Sequence, residues 1–159
     1  MKFNSALKNF VLVLFSTLLI SACSTAKKAS VDTTDDVYTG TDTVEYLANG
    51  VPDRVFFATN KSSLTTRSRD TLRKQATYLR KNKDLTVTIE GHADERGTRE
   101  YNLAHGERRA NAAKDYLMTY GVSGKRISVI SYGKEKPVNP ASSPLAWSQN
   151  RRSVTIKAN

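Results

Sequence analysis

The stretch Leu85-Thr-Val-Thr-Ile-Glu-Gly-His-Ala-Asp-Glu-Arg-Gly-Thr98 predicts a strand that runs into a polar turn. Apolar and hydroxyl side chains alternate from Leu85 to Ile89, which is typical of a half-buried strand, and we expect this strand to end at Gly91. Small and apolar residues then recur at helical spacing from about Arg99 to Tyr120, and Gly121 is suited to end a helix there. A strand, a polar turn and a long helix therefore form the centre of the predicted fold.

The segments on either side extend this pattern into an alternating α/β fold. We predict a strand at residues 53–57, a helix at 65–81, a strand at 126–131, a helical turn at 145–149 and a last strand at 152–157. The order is βαβαβ followed by a final strand. Helices of this length between strands imply right-handed crossovers onto one sheet, so the fold class is a two-layer α/β sandwich.

The N-terminus has the layout of an export signal. Two lysines precede the apolar run Phe10–Ile20, which is shorter than the roughly 20 residues that a transmembrane helix needs. Ile20-Ser-Ala-Cys23 resembles the bacterial lipobox, which implies that residues 1–22 are removed and that Cys23 is lipidated. Cys23 is the only cysteine, so an internal disulfide is excluded. The alternative is an ordinary secretory signal with a chance cysteine near its cleavage site.

The charge distribution divides the rest of the chain in two. Residues 24–50 hold two basic and five acidic side chains, a balance of −3, whereas residues 51–159 hold 21 basic and 10 acidic ones, a balance of +11. The first segment is rich in Ser, Thr and Asp and poor in large apolar residues, which predicts a flexible linker over 23–50 and a folded domain over 51–159. The basic residues of the domain are scattered and follow an export signal, so nucleic acid is not expected as a partner.

An acid and an arginine are predicted to share one cleft. Asp94 follows the C-terminal end of a strand, where open α/β sheets tend to bind ligands, and Arg109 lies 15 residues further on in the next helix. A carboxylate beside a guanidinium suits a zwitterion, because the first binds an ammonium group and the second a carboxylate. From spacing alone, a surface ion pair between Asp94 and Arg109 is an equally good interpretation.

Four motifs follow one another along the chain. They are residues 87–98, Glu100-Tyr-Asn-Leu-Ala-His-Gly-Glu-Arg-Arg-Ala-Asn111, Ser131-Tyr-Gly-Lys-Glu-Lys-Pro137 and Asn150-Arg-Arg152. Together they resemble the OmpA-like peptidoglycan-binding domain, and within that family the peptidoglycan-associated lipoproteins. The resemblance implies non-covalent binding of the diaminopimelate of peptidoglycan. The residues that it assigns to the pocket are Asp94, Arg109, Asn102, Leu103 and, near the first strand, Phe57 and Ala58.

The same resemblance implies a cellular setting. It places the chain in the outer membrane, held by the lipid on Cys23 and facing the periplasm, as part of the Tol-Pal system in envelope integrity and cell division. Ser24 agrees with this location, because an aspartate at that position marks retention in the inner membrane of enteric bacteria. The implied partners are peptidoglycan, the outer membrane and the Tol β-propeller protein, and no cofactor or metal ion is expected.

Three positions depart from the family pattern. Related proteins commonly carry acidic residues where Ala58 and Asn60 stand, and a leucine-like residue where His105 stands. Outside these three positions, Arg151 and Asn150 match the family motif and are interpreted as structural or rim residues. A pocket weakened by these departures would leave an interaction module that binds no wall peptide, and this remains one alternative.

The other alternative is a cell-wall hydrolase. His92, Asp94, Glu95 and His105 are residue types that ligate zinc or perform acid-base catalysis. The two histidines are 13 residues apart, which matches no zinc motif, and no G-x-S-x-G motif is present. The sequence therefore favours a binding protein that is not an enzyme.

Overall fold

A four-stranded mixed sheet lies at the centre of the structure, a computed structural model that describes residues 31–32 and 36–158. In chain order, the elements are β1 (Val31–Asp32), β2 (Val37–Tyr38), β3 (Tyr46–Ala48), β4 (Val51–Pro52), β5 (Arg54–Phe56), α1 (Thr66–Lys81), β6 (Val87–His92), α2 (Arg99–Thr119), a 3-10 turn (Gly124–Arg126), β7 (Ile127–Gly133), α3 (Pro144–Asn150) and β8 (Arg152–Lys157). The predicted order of elements and the two-layer α/β fold class are confirmed.

The last strand enters the middle of the sheet. The spatial order is β5-β8-β6-β7, with β6 and β7 parallel and β8 antiparallel to both β5 and β6. The two pairs β1–β2 and β3–β4 are short antiparallel ribbons outside this sheet. Because β8 separates β5 from β6, the loop after β5 and the end of β6 are held by the same strand.

Helices α1 and α2 cover one face of the sheet and bury the main core. Their apolar side chains meet those of the strands in one cluster, which includes Val55, Leu72, Ile89, Leu117 and Ile127. Each helix begins at a threonine whose hydroxyl accepts a backbone N–H of the first turn: Thr65 from Ser68 at 3.1 Å, and Thr98 from Tyr101 at 3.2 Å. These caps satisfy N–H groups that would otherwise lack a partner and fix where each helix starts.

The predicted linker is shorter than expected at its C-terminal end, because residues 36–50 pack on the folded domain. Tyr38 has 0% exposure, and its ring packs edge-on against Phe56 with the centroids 4.8 Å apart. Leu47 is also buried, and Asp42 accepts a hydrogen bond of 3.1 Å from Gln149. A few well-placed apolar residues cover the second face of the sheet here, which the average composition of the segment did not indicate.

The predictions of a signal segment and of a lipidated Cys23 concern the N-terminal part of the chain. Residues 1–30 and 33–35, which include the predicted signal segment and Cys23, lie outside the described residues. Among the helices that the structure does describe, none has the length and apolar character to cross a membrane.

We expect Tyr38→Ala to destabilise the domain by about 3 kcal/mol, because it removes a fully buried aromatic side chain from a packed cluster. Tyr46→Ala is the matched control, since Tyr46 lies in the same segment and is 62% exposed. Denaturant unfolding of both variants gives the free energies. Equal stability of the two variants would mean that this segment is a linker after all.

Candidate functional site

A cleft of about 360 Å³ opens where β6 ends and α2 begins. Its lining combines the loop after β5, the turn after β6 and the first turns of α2, and comprises Thr59, Asn60, Ala93, Asp94, Arg96, Gly97, Tyr101, Asn102, His105 and Arg109. Three of the predicted pocket residues, Asp94, Asn102 and Arg109, are brought together in this lining.

Asp94 is held by two arginines, neither of which is Arg109. Its Oδ1 and Oδ2 accept hydrogen bonds from Nε and Nη2 of Arg96 at 3.1 and 2.7 Å, and Oδ2 also accepts one from Nη1 of Arg151 at 3.3 Å. Burial opposes ionisation of this carboxyl group, but the hydrogen bonds and charge of Arg96, with the hydrogen bond from Arg151, outweigh it, so the pKa of Asp94 lies below its ordinary value. Asp94 is therefore a carboxylate at neutral pH that orients cations around the cleft.

Arg96 is the exposed cation of the cleft, and the sequence analysis did not identify it. Its guanidinium lies over the ring of Trp147 at 4.4 Å, and the indole Nε1 of Trp147 donates to Glu95 at 2.8 Å. Arg96 is thus fixed on one side by the Asp94 carboxylate and on the other by an aromatic face. The available signal was the spacing Asp94-Glu-Arg96, which allows an acid to bind the arginine two residues later within a turn.

Arg151 lies beneath the cleft and links three segments of the chain. Its guanidinium donates to the Phe57 carbonyl at 3.1 Å and to Asp94, and it forms an ion pair of 3.0 Å with Asp36. The interpretation of Arg151 as structural fits its burial, yet its direct bond to Asp94 also makes it part of the site. Thr59, in the cleft lining, donates to the same Asp36 carboxylate.

Arg109 is buried at the base of the cleft with 0% exposure. Its guanidinium donates to the backbone carbonyls of Lys61 at 3.0 Å and His92 at 2.8 Å, and more weakly to that of Ala58 at 3.4 Å. Burial and the charge of Arg151 lower its pKa to about 9, so it remains a cation at neutral pH. No carboxylate of the described residues forms an ion pair with Arg109, and the alternative of a surface pair with Asp94 is therefore wrong.

Two of the three departures from the family pattern, Asn60 and His105, line this cleft. His105 covers Arg109, with Nε2 at 3.4 Å from Nη2, and burial together with the charges of Arg109 and Arg108 lowers its pKa to about 4. The neutral ring can accept this contact, which a leucine could not. Asn60 lies at the rim with a positive φ of 53°, and Ala58 offers only its carbonyl to Arg109.

The remaining predicted residues differ in their relation to the cleft. Asn102 is buried and donates from Nδ2 to the Arg96 carbonyl at 2.9 Å, which fixes the turn that carries Arg96. Leu103 is exposed and lies outside the cleft lining, and its carbonyl accepts a hydrogen bond of 2.6 Å from Ser131. Phe57 is fully buried, with its ring 5.5 Å from the Arg109 guanidinium carbon. Neither Leu103 nor Phe57 therefore lines the cleft.

The charges of the cleft favour a ligand that carries a carboxylate. Two arginines and one aspartate line it, and the charge of the buried Arg151 below is paired with that of Asp36. No group of three or more His, Cys, Asp or Glu side chains that could hold a metal ion occurs in the described part of the chain. The arrangement can bind and orient an anionic group through charge-assisted hydrogen bonds.

We expect the domain to lose stability as the pH falls from about 6.5 to 5. The chain has two histidines, His92 and His105, and burial lowers their pKa to about 3 and about 4, below the ordinary value of 6.5. The unfolded chain therefore binds more protons in this window, at a cost of at most about 1.4 kcal/mol per pH unit for each histidine. His105→Leu should roughly halve the slope of unfolding free energy against pH, and an unchanged slope would contradict a neutral, buried His105.

Comparison with known proteins agrees with this architecture. The chain matches the OmpA family over residues 56–151. It is 41% identical over 150 residues to a peptidoglycan-associated lipoprotein of Brucella melitensis, covering 91% of this chain and 89% of that protein. It is 56% identical over 106 residues to the peptidoglycan-associated lipoprotein of Rhizobium meliloti, and this match spans 67% of the chain but only 60% of that relative's length.

A solved structure extends the similarity to three dimensions. The peptidoglycan-associated lipoprotein from Burkholderia pseudomallei superimposes with a TM-score of 0.65 at 36% identity, covering 67% of this chain and 90% of that one. The chain therefore belongs to the OmpA family and, within it, to the peptidoglycan-associated lipoproteins.

Proposed function

We propose that this chain is an outer-membrane lipoprotein that binds peptidoglycan non-covalently and so ties the outer membrane to the cell wall. The ligand is the diaminopimelate of the stem peptide, and the site is the cleft between β6 and α2. The chain acts within the Tol-Pal system in envelope integrity and cell division, with the Tol β-propeller protein as a periplasmic partner. The names of the relatives and the chemistry of the cleft support this proposal.

The excess positive charge at the cleft is the observation that carries the proposal. Within residues 36–158, Arg109 is a buried cation that has backbone carbonyls but no carboxylate as partners, and Arg96 is an exposed cation in the same cleft lining. Diaminopimelate ends in an amine and a carboxylate, and a guanidinium grips a carboxylate with two parallel hydrogen bonds. The carboxylate of the ligand binds Arg96 directly, while Arg109 attracts it through its charge from below.

The amine of the ligand has weaker partners. Both oxygens of Asp94 already bind arginines, and Ala58 and Asn60 add no negative charge at the rim. The amine is left with Asn60 and the edge of Asp94. A few charge-assisted hydrogen bonds, at roughly 1.5 to 3 kcal/mol each, support micromolar to millimolar affinity for each stem peptide. Many copies then hold the wall by avidity.

The lipid on Cys23 supplies the other attachment. Stable anchoring needs more than one acyl chain, and the family's three chains on such a cysteine satisfy this. Because Val31–Asp32 pair with β2 and residues 36–50 pack on the domain, the chain between Cys23 and the fold is shorter than the predicted linker. The domain therefore works close to the membrane that holds it.

We expect Arg96→Ala to weaken binding of a diaminopimelate-containing stem peptide by at least roughly tenfold, the worth of one lost charge-assisted hydrogen bond. Arg99→Ala is the matched control, because Arg99 is an exposed arginine three residues away that pairs with Glu135 instead of lining the cleft. Titration calorimetry of both variants gives the affinities. A stem peptide with lysine in place of diaminopimelate, which lacks the carboxylate, should bind wild type as weakly as the variant binds the natural peptide.

The same proteins incubated with purified sacculi distinguish the alternatives. The proposal predicts that wild type sediments with the sacculi and releases no soluble muropeptides. Release of muropeptides would support the hydrolase. Failure of wild type to bind either sacculi or stem peptide would support an interaction module without a working pocket.

A further inference from the structure

A cluster of basic side chains surrounds the C-terminal ends of α1 and α2. We call it the basic end and define it by Arg80, Lys81, Lys83, Lys125 and Arg126. Four of these residues line a hollow of about 580 Å³ that has no acidic side chain in its lining. Lys125 belongs to the adjoining 3-10 turn, next to Arg126.

Two of the five cations, Lys83 and Lys125, have no evident role in the fold. Arg126 donates to the carbonyls of Leu79 and Leu85 and thereby closes the end of α1. Arg80 and Lys81 also suit the negative end of the α1 dipole. Lys83 and Lys125 are exposed, and neither of these two roles, carbonyl binding or interaction with the helix dipole, applies to them. Among the described residues, no carboxylate forms an ion pair with Arg80, Lys81, Lys83 or Lys125.

Exposed apolar and aromatic side chains lie next to the basic end. Met118 is 44% exposed and reaches the 3-10 turn, where its side chain borders Gly124. Tyr120 is also exposed, and its ring lies 5.0 Å from that of Tyr116. Tyrosine rings and an exposed methionine beside lysine and arginine are typical of surfaces that lie at the headgroup level of a membrane.

The basic end is at the opposite pole of the domain from the cleft. Arg126 contacts Leu85 just before β6, whereas Asp94 follows the other end of β6. Asn102 and Met118 are likewise near opposite ends of α2, whose 21 residues span about 30 Å. A ligand in the cleft and a partner at the basic end would therefore not obstruct each other.

The geometry points to a bilayer bearing anionic phospholipid headgroups as the partner of the basic end. The phosphates of such lipids match the unpaired lysines and arginines, and Met118 and Tyr120 enter the headgroup region. Docking places the cleft on the side of the domain that faces away from the bilayer, towards the wall. Binding of this kind weakens with salt, because exposed charges are screened.

The test uses the full chain as the cell processes and lipidates it, and so it rests on the anchor of the proposed function. The protein is inserted into vesicles of phosphatidylcholine alone, or of phosphatidylcholine with an equal share of phosphatidylglycerol. Lysines are then acetylated briefly and quantified by mass spectrometry. We expect Lys81 and Lys125 to react at least roughly fivefold more slowly with phosphatidylglycerol present, and high salt to restore their rates. Lys61, exposed near the cleft, should react equally in both vesicles.

A matched pair of charge reversals controls for net charge. Lys83→Glu should abolish most of the protection of Lys81 and Lys125, whereas Lys136→Glu, an exposed lysine beyond β7, should leave it intact. Equal acetylation in both vesicles, or equal effects of the two variants, would overturn the docking. A protein that fails to float with either vesicle would instead contradict the anchor at Cys23.

Discussion

The close approach of α2 to β6 determines the geometry of the cleft. A side chain at Gly91 would collide with the carbonyl oxygen of Gly106, so the helix backbone can rest directly on the strand only because both positions lack one. This contact brings Arg109 within 2.8 Å of the His92 carbonyl and Asn102 within 2.9 Å of the Arg96 carbonyl. The turn that carries Asp94 is thus held against the helix that carries its partners.

Buried arginines act as cross-links around this contact. Arg109 joins α2 to carbonyls of the loop after β5 and the end of β6, and Arg151 joins the start of β8 to Asp94 and to Asp36. Each guanidinium satisfies carbonyls that no sheet partner reaches, which offsets part of the cost of burying its charge. Arg151 is paired with Asp94 and Asp36, so the positive charge that no carboxylate of the described residues compensates is that of Arg109. This charge suits the base of the cleft to an anionic group.

The sequence predicts the elements well because their signals are local. Alternation marked β6, helical spacing marked α1 and α2, and the strand-turn-helix arrangement located Asp94 and Arg109 in one cleft. Other features depend on contacts between distant residues. The pairing of β8 between β5 and β6, and the bond of Arg151 to Asp94 across 57 positions, leave no local pattern. The packed segment 36–50 was missed because Tyr38 and Leu47 are few among many polar residues.

Backbone amide shifts measured by NMR during titration with a diaminopimelate-containing stem peptide test the central claim most directly. Peptide binding in the cleft predicts the largest changes at Asn60, Gly97 and Tyr101, which line it from three different segments. The amide chemical shifts of Lys83 and Lys125, at the opposite pole of the domain, should not change. Largest changes on the outer sheet face around Ile130, or at the basic end, would contradict a wall-binding cleft between β6 and α2.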